Sequence, residues 1–408
     1  MIPRQYDFDT VHDRHGSCSV KWDLNPDPEV IPMWVADMDF QAAPFILDAV
    51  RRRVEHGIFG YTHVPESYYR SVQDWFLRRR GWKIGREWIR PLGGLVPALS
   101  VAIPALTAPG DKVVFHNPAY NCFFSCVERN GREVSASPLR CEERGGRLYF
   151  KMDFEDLERR LSDPRATLMI LCNPHNPCGR VWTEDELRRV GEMCLRHGVT
   201  VISDEIHCEL EMPGHRYTPF ASLSPAFEAA CVTLCSPSKA FNIAGLEISN
   251  VITAPEALRT RIDQVIAATE HGGLNPIGVE ALQAAYSPEG EAWLTQLNAY
   301  LYENYLTLER MLAEAGLTEF RLSELEGTYL VWMDCRSLTR RGIDADRIQR
   351  ELTEVEKVWI NSGRMYGDGG FLRINLACPR KTLAEGARRI IRGLQRLRNL
   401  SDGKETAG

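Results

Sequence analysis

The sequence predicts an α/β protein: a largely parallel sheet covered by helices, joined to a smaller α+β portion. Three observations lead there. Four short apolar runs do not alternate polar with apolar residues, which suits strands buried on both faces. Helical patterns separate these runs, and strand–helix alternation implies a parallel sheet with right-handed crossovers. Each run ends in a polar loop, and ligands of such sheets sit beyond the carboxyl ends of the strands.

The runs are KVVF (112–115), TLMILC (167–172), VTVIS (199–203) and VTLC (232–235). They lead respectively into His116–Tyr120, Asn173–Pro177, Asp204–His207 and Ser236–Lys239. The four loops are therefore expected to face one crevice. Between the second and third runs, Thr183 followed three residues later by Glu186 is a capping-box signature, and Gly198 marks the stop. Later the pattern changes. A long helical stretch covers about 291–315, strand-like segments FRLSELEGTYLVWMD and FLRINLA follow, and a closing helix covers about 382–397. The expected division is a large domain at 48–287 and a small one formed by 1–47 and 288–408.

Composition narrows the function. The chain has 408 residues, 44% hydrophobic and 25% charged, with a net charge of −6. That is a globular balance, and it lacks the basic excess of a nucleic-acid binder. The runs Arg51–Arg53 and Arg78–Arg80 read as solvated helix faces. The twelve cysteines are scattered and form no C-x-x-C, so no metal site is expected. Reduced thiols, a polar N-terminal stretch without a signal core and no long apolar run make a cytoplasmic, non-membrane protein the expectation.

The chemistry is carried by residues at the predicted strand ends. Lys239, just after a buried strand, is placed for an amine whose pKa desolvation lowers, as a Schiff-base lysine requires. The alternative is a helix-start lysine reaching solvent. Asp204 at a strand end needs a partner, and a pyridinium nitrogen would serve; the alternative is a cap on the next helix. Gly93–Ser100 reads as a glycine turn into a helix with Pro97 at its first position. The N–H groups of Gly94, Leu95 and Val96 would then meet a phosphate, aided by the hydroxyls of Ser236 and Ser238. Tyr120 can stack on a flat ring, and Asn176, stiffened between two prolines, can donate to a cofactor oxygen or a substrate carboxylate. Arg373 is a lone cation in an apolar strand. It suits a substrate carboxylate, or else a cross-strand salt bridge. His207 could bond towards Asp204 or the ring oxygen.

Taken in order, N-P-H-N-P-x-G (173–179), S-D-E-I-H (203–207) and S-P-S-K-x-F-N-I-A-G-L (236–246) resemble the fold-type I pyridoxal 5′-phosphate (PLP) enzymes, the aspartate aminotransferase superfamily. The blocks K-W-D (21–23), I-P-M-W-V-A-D-M-D-F (31–40) and F-G-Y-T (59–62) resemble the branch of MalY/PatB-type cystathionine β-lyases, or cysteine-S-conjugate β-lyases. The resemblance implies a seven-stranded-type large-domain sheet, a PLP cofactor and a homodimer with shared active sites. It implies catalytic roles for Lys239, Tyr61 and Tyr120, with Tyr61 reaching the phosphate of the neighbouring subunit's cofactor. Asp204 would pair with the pyridine nitrogen, Tyr120 would stack on the ring, Asn176 would bond its oxygen and Arg373 would clamp the substrate carboxylate. Val35 and Ala36 would lie near the substrate. The implied reaction is α,β-elimination of L-cystathionine or a related S-conjugate to a thiol, pyruvate and ammonia. An aminotransferase is the rival, since it shares every step up to loss of the α-proton. A purely regulatory, protein-binding role is the remote alternative. The sequence departs from the pattern in two places. Glu247 stands where many relatives place a phosphate-binding arginine, and Asn121 and Cys122 follow Tyr120 where relatives often carry an aromatic and a proline.

Overall fold

A computed structural model describes residues 6–405. Seven strands form the central sheet: β1 (Ile89–Leu92), β2 (Lys112–Asn117), β3 (Glu133–Pro138), β4 (Ala166–Cys172), β5 (Thr200–Asp204), β6 (Cys231–Cys235) and β7 (Ser249–Ile252). Their spatial order is β1-β7-β6-β5-β4-β2-β3. All neighbours are parallel except β7, which runs antiparallel to both β1 and β6. The four apolar runs are four adjacent strands of this sheet.

Period-two alternation explains why those runs are apolar throughout. Leu168, Ile170 and Cys172 of β4 pack into one cluster, with Leu99, Ile103 and Ile262. Met169 and Leu171 point the other way, towards Leu187 and Val190. Each face must be dry, so every position is hydrophobic. One such fully buried aliphatic side chain contributes about 1.5–3 kcal/mol.

Helix ends follow their local chemistry. The Glu184–His197 helix opens on a complete capping box between Thr183 and Glu186 and closes on Gly198 at φ 68°. The Leu95–Leu106 helix begins after Gly94, whose φ of 88° belongs to glycine. Pro97 is thus the third helical residue, not the first; the whole first turn tolerates proline because its N–H groups lack intrahelical acceptors.

The C-terminal part contains a long Pro288–Glu314 helix, a closing Arg380–Glu405 helix and an antiparallel three-stranded sheet. Its strands are β8 (Leu330–Asp334), β9 (Asn361–Ser362) and β10 (Phe371–Asn375), in the order β8-β10-β9. The strand-like residues ahead of β8 form only isolated bridges, such as Leu322 with Met333. The N-terminal segment joins this part: Ile31 and Pro32 pair in parallel with Val358 and Trp359. Residue 48 lies inside the Pro44–His56 helix, which packs on the Pro276–Ala285 helix. Among the described residues no helix is long and apolar enough to cross a membrane.

Candidate active site

The register of the central strands sets Cys172 beside Asp204 and Asp204 beside Leu234. Their carboxyl ends therefore open together, and a cavity of about 320 Å³ lies there. Arg373 of β10 and the irregular segment 34–36 close it from the other side. The shared crevice expected from the strand ends is thus present.

Asp204 is 2% exposed. Burial pushes its carboxyl up to about 7, against the Ile206 N–H that it accepts and the nearby Lys239 charge. It caps no helix; residues 206–209 form turns. Lys239 also sits in a turn rather than at a helix start. Burial pulls its amine down to about 8, while Asp37 draws it up and Arg373 adds to the fall. Its Nζ donates to the Ala36 carbonyl at 2.7 Å.

Arg373 is 3% exposed, and among the described residues no carboxylate lies within salt-bridge distance of it. The cross-strand salt bridge is therefore absent. Its Nη2 donates to the Trp34 carbonyl at 2.8 Å and its Nη1 to Asn176 Oδ1 at 3.2 Å. The guanidinium lies 4.4 Å from the Tyr366 ring centre, and its buried Nε has no acceptor. A buried cation held only by neutral groups is suited to an incoming anion.

His207 lines the cavity with an unpartnered Nδ1 and does not bond Asp204. Burial, with the Lys239 and Arg373 charges, holds its imidazole well below the ordinary range, so the ring is neutral. Tyr120 lines the wall too, and burial raises its phenol far above the ordinary value. Gly94, Leu95 and Val96 present the start of a helix to the cavity, and Ser238 lines it as well. Ser236 does not reach the wall. Its hydroxyl donates to the Ile248 carbonyl at 2.5 Å and accepts the Ser238 N–H at 3.0 Å. The pattern S-P-S could not distinguish the serine that faces the cavity from the one that braces it.

Val35, Ala36 and Asn176 are on the wall. Tyr61 is not; it is fully exposed in the loop after Gly57. Glu247 is exposed and absent from the lining, as its charge required. Asn121 does line the cavity. Sequence reasoning missed Asn361, Met365 and Tyr366, which chain folding around β9 and β10 delivers to the mouth. No local pattern marks them. Tyr329, which also donates to the Ala36 carbonyl at 2.9 Å, was equally silent.

Residues 29–390 match the family described as aminotransferase class I and II. The chain belongs to that family. Within it, the chain is 43% identical to cystathionine β-lyase PatB of Bacillus subtilis, over 94% of this chain and 98% of the relative. Cystalysin of Treponema denticola, solved with its PLP cofactor, is 33% identical with a TM-score of 0.91, covering 97% of this chain and all of that one. A PLP-bound C–S lyase of Staphylococcus hominis is 32% identical with a TM-score of 0.88, over 96% of this chain and 98% of its own. This aminotransferase-family member thus shares its sheet and chain path with PLP-bound lyases.

Proposed function

We propose that this chain is a PLP-dependent C–S lyase that cleaves L-cystathionine or related cysteine S-conjugates to a thiol, pyruvate and ammonia. One observation carries the cofactor: a fully buried carboxyl, Asp204, with no cation bonded to it, sits across the same cavity from a desolvated lysine. A protonated pyridine nitrogen supplies the missing partner, and the Leu95–Leu106 helix start with Ser238 suits a phosphate. The residues fit the group. When bound, PLP supplies a ring that spreads the negative charge left after loss of the substrate α-proton.

The chain's own part follows from its side chains. Arg373 binds the substrate carboxylate with its planar fork and so fixes which Cα bond faces Lys239. The Lys239 amine, near 8, carries the α-proton at Nζ without being a permanent cation. Asp204 would hold a proton on the ring nitrogen of bound PLP. Tyr120 would pack on the ring and Asn176 would bond its oxygen, and the walls around Trp34, Val35 and Ala36 would exclude water from the reacting face.

The lyase is preferred to an aminotransferase because of the 43% identity to a cystathionine β-lyase along almost the whole chain. We infer a homodimer. Ile58, Phe59 and Tyr61 form an exposed apolar loop, at 67%, 56% and full exposure, that a second copy would cover. Tyr61 would then serve the neighbour's phosphate. Twelve free cysteines support a cytoplasmic address.

The test is pyruvate release from L-cystathionine by purified protein with PLP, beside Lys239→Ala. Pyruvate from the wild type and none from the variant is expected. A PLP absorbance band that turns over only when a keto acid is supplied would establish the aminotransferase instead.

A further inference from the structure

The segment Met33–Phe40 forms neither helix nor strand, yet it touches both functional cations. Its Ala36 carbonyl takes the Lys239 Nζ at 2.7 Å, and its Trp34 carbonyl takes Arg373 Nη2 at 2.8 Å. Two carbonyls, two residues apart, thus orient the amine and the carboxylate clamp. This irregular segment makes few backbone bonds, Met33 N–H to the Trp359 carbonyl and Asp39 N–H to the Ala377 carbonyl among them. Side chains fix most of its oxygens: Asn361 Nδ2 donates to the Trp34 carbonyl at 3.2 Å, Tyr329 to that of Ala36, and Asn375 Nδ2 to those of Val35 and Asp37.

A further anchor lies at the segment's far end. Asp39 is 4% exposed, and Lys21, at 1%, donates to its Oδ2 at 2.8 Å. Trp22 Nε1 donates to Asp39 Oδ1 at 2.8 Å, and Arg14 Nη1 to the same atom at 2.7 Å. Lys21 Nζ also reaches the Asp37 carbonyl at 3.3 Å, while the Lys21 carbonyl accepts the Trp34 indole N–H at 3.1 Å. Asp23 shapes the turn that presents Lys21 and Trp22, by accepting the Gly16 and Ser19 N–H groups at 2.9 Å each. The motifs K-W-D and W-V-A-D-M-D therefore meet around the buried Lys21–Asp39 pair. A buried ion pair is weak evidence of stability, because desolvation offsets its attraction. Its geometric consequence is the stronger account.

We propose that the Lys21–Asp39 pair, with Trp22, is a positioning device that sets Lys239 and Arg373 through the carbonyls of Ala36 and Trp34. This rests on the roles given above to those two cations. Lys21 and Asp39 touch neither substrate nor cofactor; they act through the backbone between them and the cavity.

Holoenzyme of Lys21→Met and Lys21→Arg would be compared with wild type by melting temperature, by kcat and KM for pyruvate release from L-cystathionine, and by pH titration of the bound-PLP absorbance. Expected for Lys21→Met is a roughly 10- to 100-fold fall in kcat/KM, the scale of a small misplacement of reacting groups. Its absorbance transition leaves the wild-type pH, because the Ala36 carbonyl no longer sits on the Lys239 nitrogen and Asp37, without Lys21 beside it, acts more strongly on that nitrogen, which Asp204 and Arg373 also face. Lys21→Arg recovers most of both. A lower melting temperature with unchanged constants and an unchanged transition overturns the proposal. Should Lys21→Met not fold, Trp22→Phe removes one bond to Asp39 and keeps the ring. The same loss and shift are then expected, and their absence overturns it. The absorbance titration needs no turnover, so a wild type that binds PLP but releases no pyruvate counts against the reaction alone.

Discussion

Burial holds the Asp204 carboxyl near 7 because only the Ile206 N–H and the Lys239 charge oppose desolvation. Its ordinary value is 3.8, so folding of the cofactor-free protein favours the protonated acid. That contribution is full below the ordinary value and is lost as pH rises through 7. Asp204→Asn is therefore expected to raise the melting temperature of the cofactor-free protein in mildly alkaline buffer, and not in acid. The same variant cannot hold the ring nitrogen's proton by charge, and its pyruvate release should fall by at least ~100-fold. Equal melting of both proteins in alkaline buffer would remove the desolvation account. Lys239, Asp204 and Arg373 were legible in sequence because a charge beside an apolar strand needs an explanation. Asn361 and Tyr366 were not, since a neutral polar or aromatic residue in a loop is ordinary wherever it sits.

The start of the Leu95–Leu106 helix shows how much depends on one backbone angle. Gly94 holds φ at 88°, and a Cβ there would meet the Pro97 ring at 3.5 Å, which is ordinary contact. The obstacle to substitution is thus the backbone conformation and not space. Gly94→Ala is expected to strain this turn by about 1–3 kcal/mol and to tilt the N–H groups proposed to meet the phosphate. Titration with PLP, followed by absorbance, should show weaker binding in the variant; unchanged affinity would place the phosphate elsewhere. The capping box of the Glu184–His197 helix was readable because its partners are local. The residues before β8 have strand composition yet make only isolated bridges, because composition cannot say whether a neighbouring strand is there to pair with them.

The central sheet and the C-terminal three-stranded sheet meet at the cavity, with Arg373 on one side and Asp204 and Lys239 on the other. We propose two units, with the change near Ser287, which caps the Pro288–Glu314 helix. On the N-terminal side, packing of the Pro44–His56 helix on Pro276–Ala285 attaches it to the large unit, so the proposed boundary lies ahead of Pro44 rather than at 47. A shared-site dimer has its own test. Tyr61→Ala and Lys239→Ala, each inactive alone, should regain part of the wild-type activity when refolded together, because one mixed site receives both intact residues. No recovery, with mixed dimers present, would assign Tyr61 to its own subunit or to no site.

What the sequence determined by itself was whatever local rules control: strands buried on both faces, caps, the glycine turn, and the charged residues stranded at strand ends. Arg373 is the clearest case, a cation whose need for an anion was visible before any fold. Tertiary structure alone decided which side of the chain meets which. It set Ser238 rather than Ser236 on the cavity wall, brought Tyr366 beneath Arg373, and turned the Ala36 carbonyl towards Lys239 across 203 residues of chain. Such contacts join segments with no common periodicity, so nothing in either segment announces the other until the chain has closed around both.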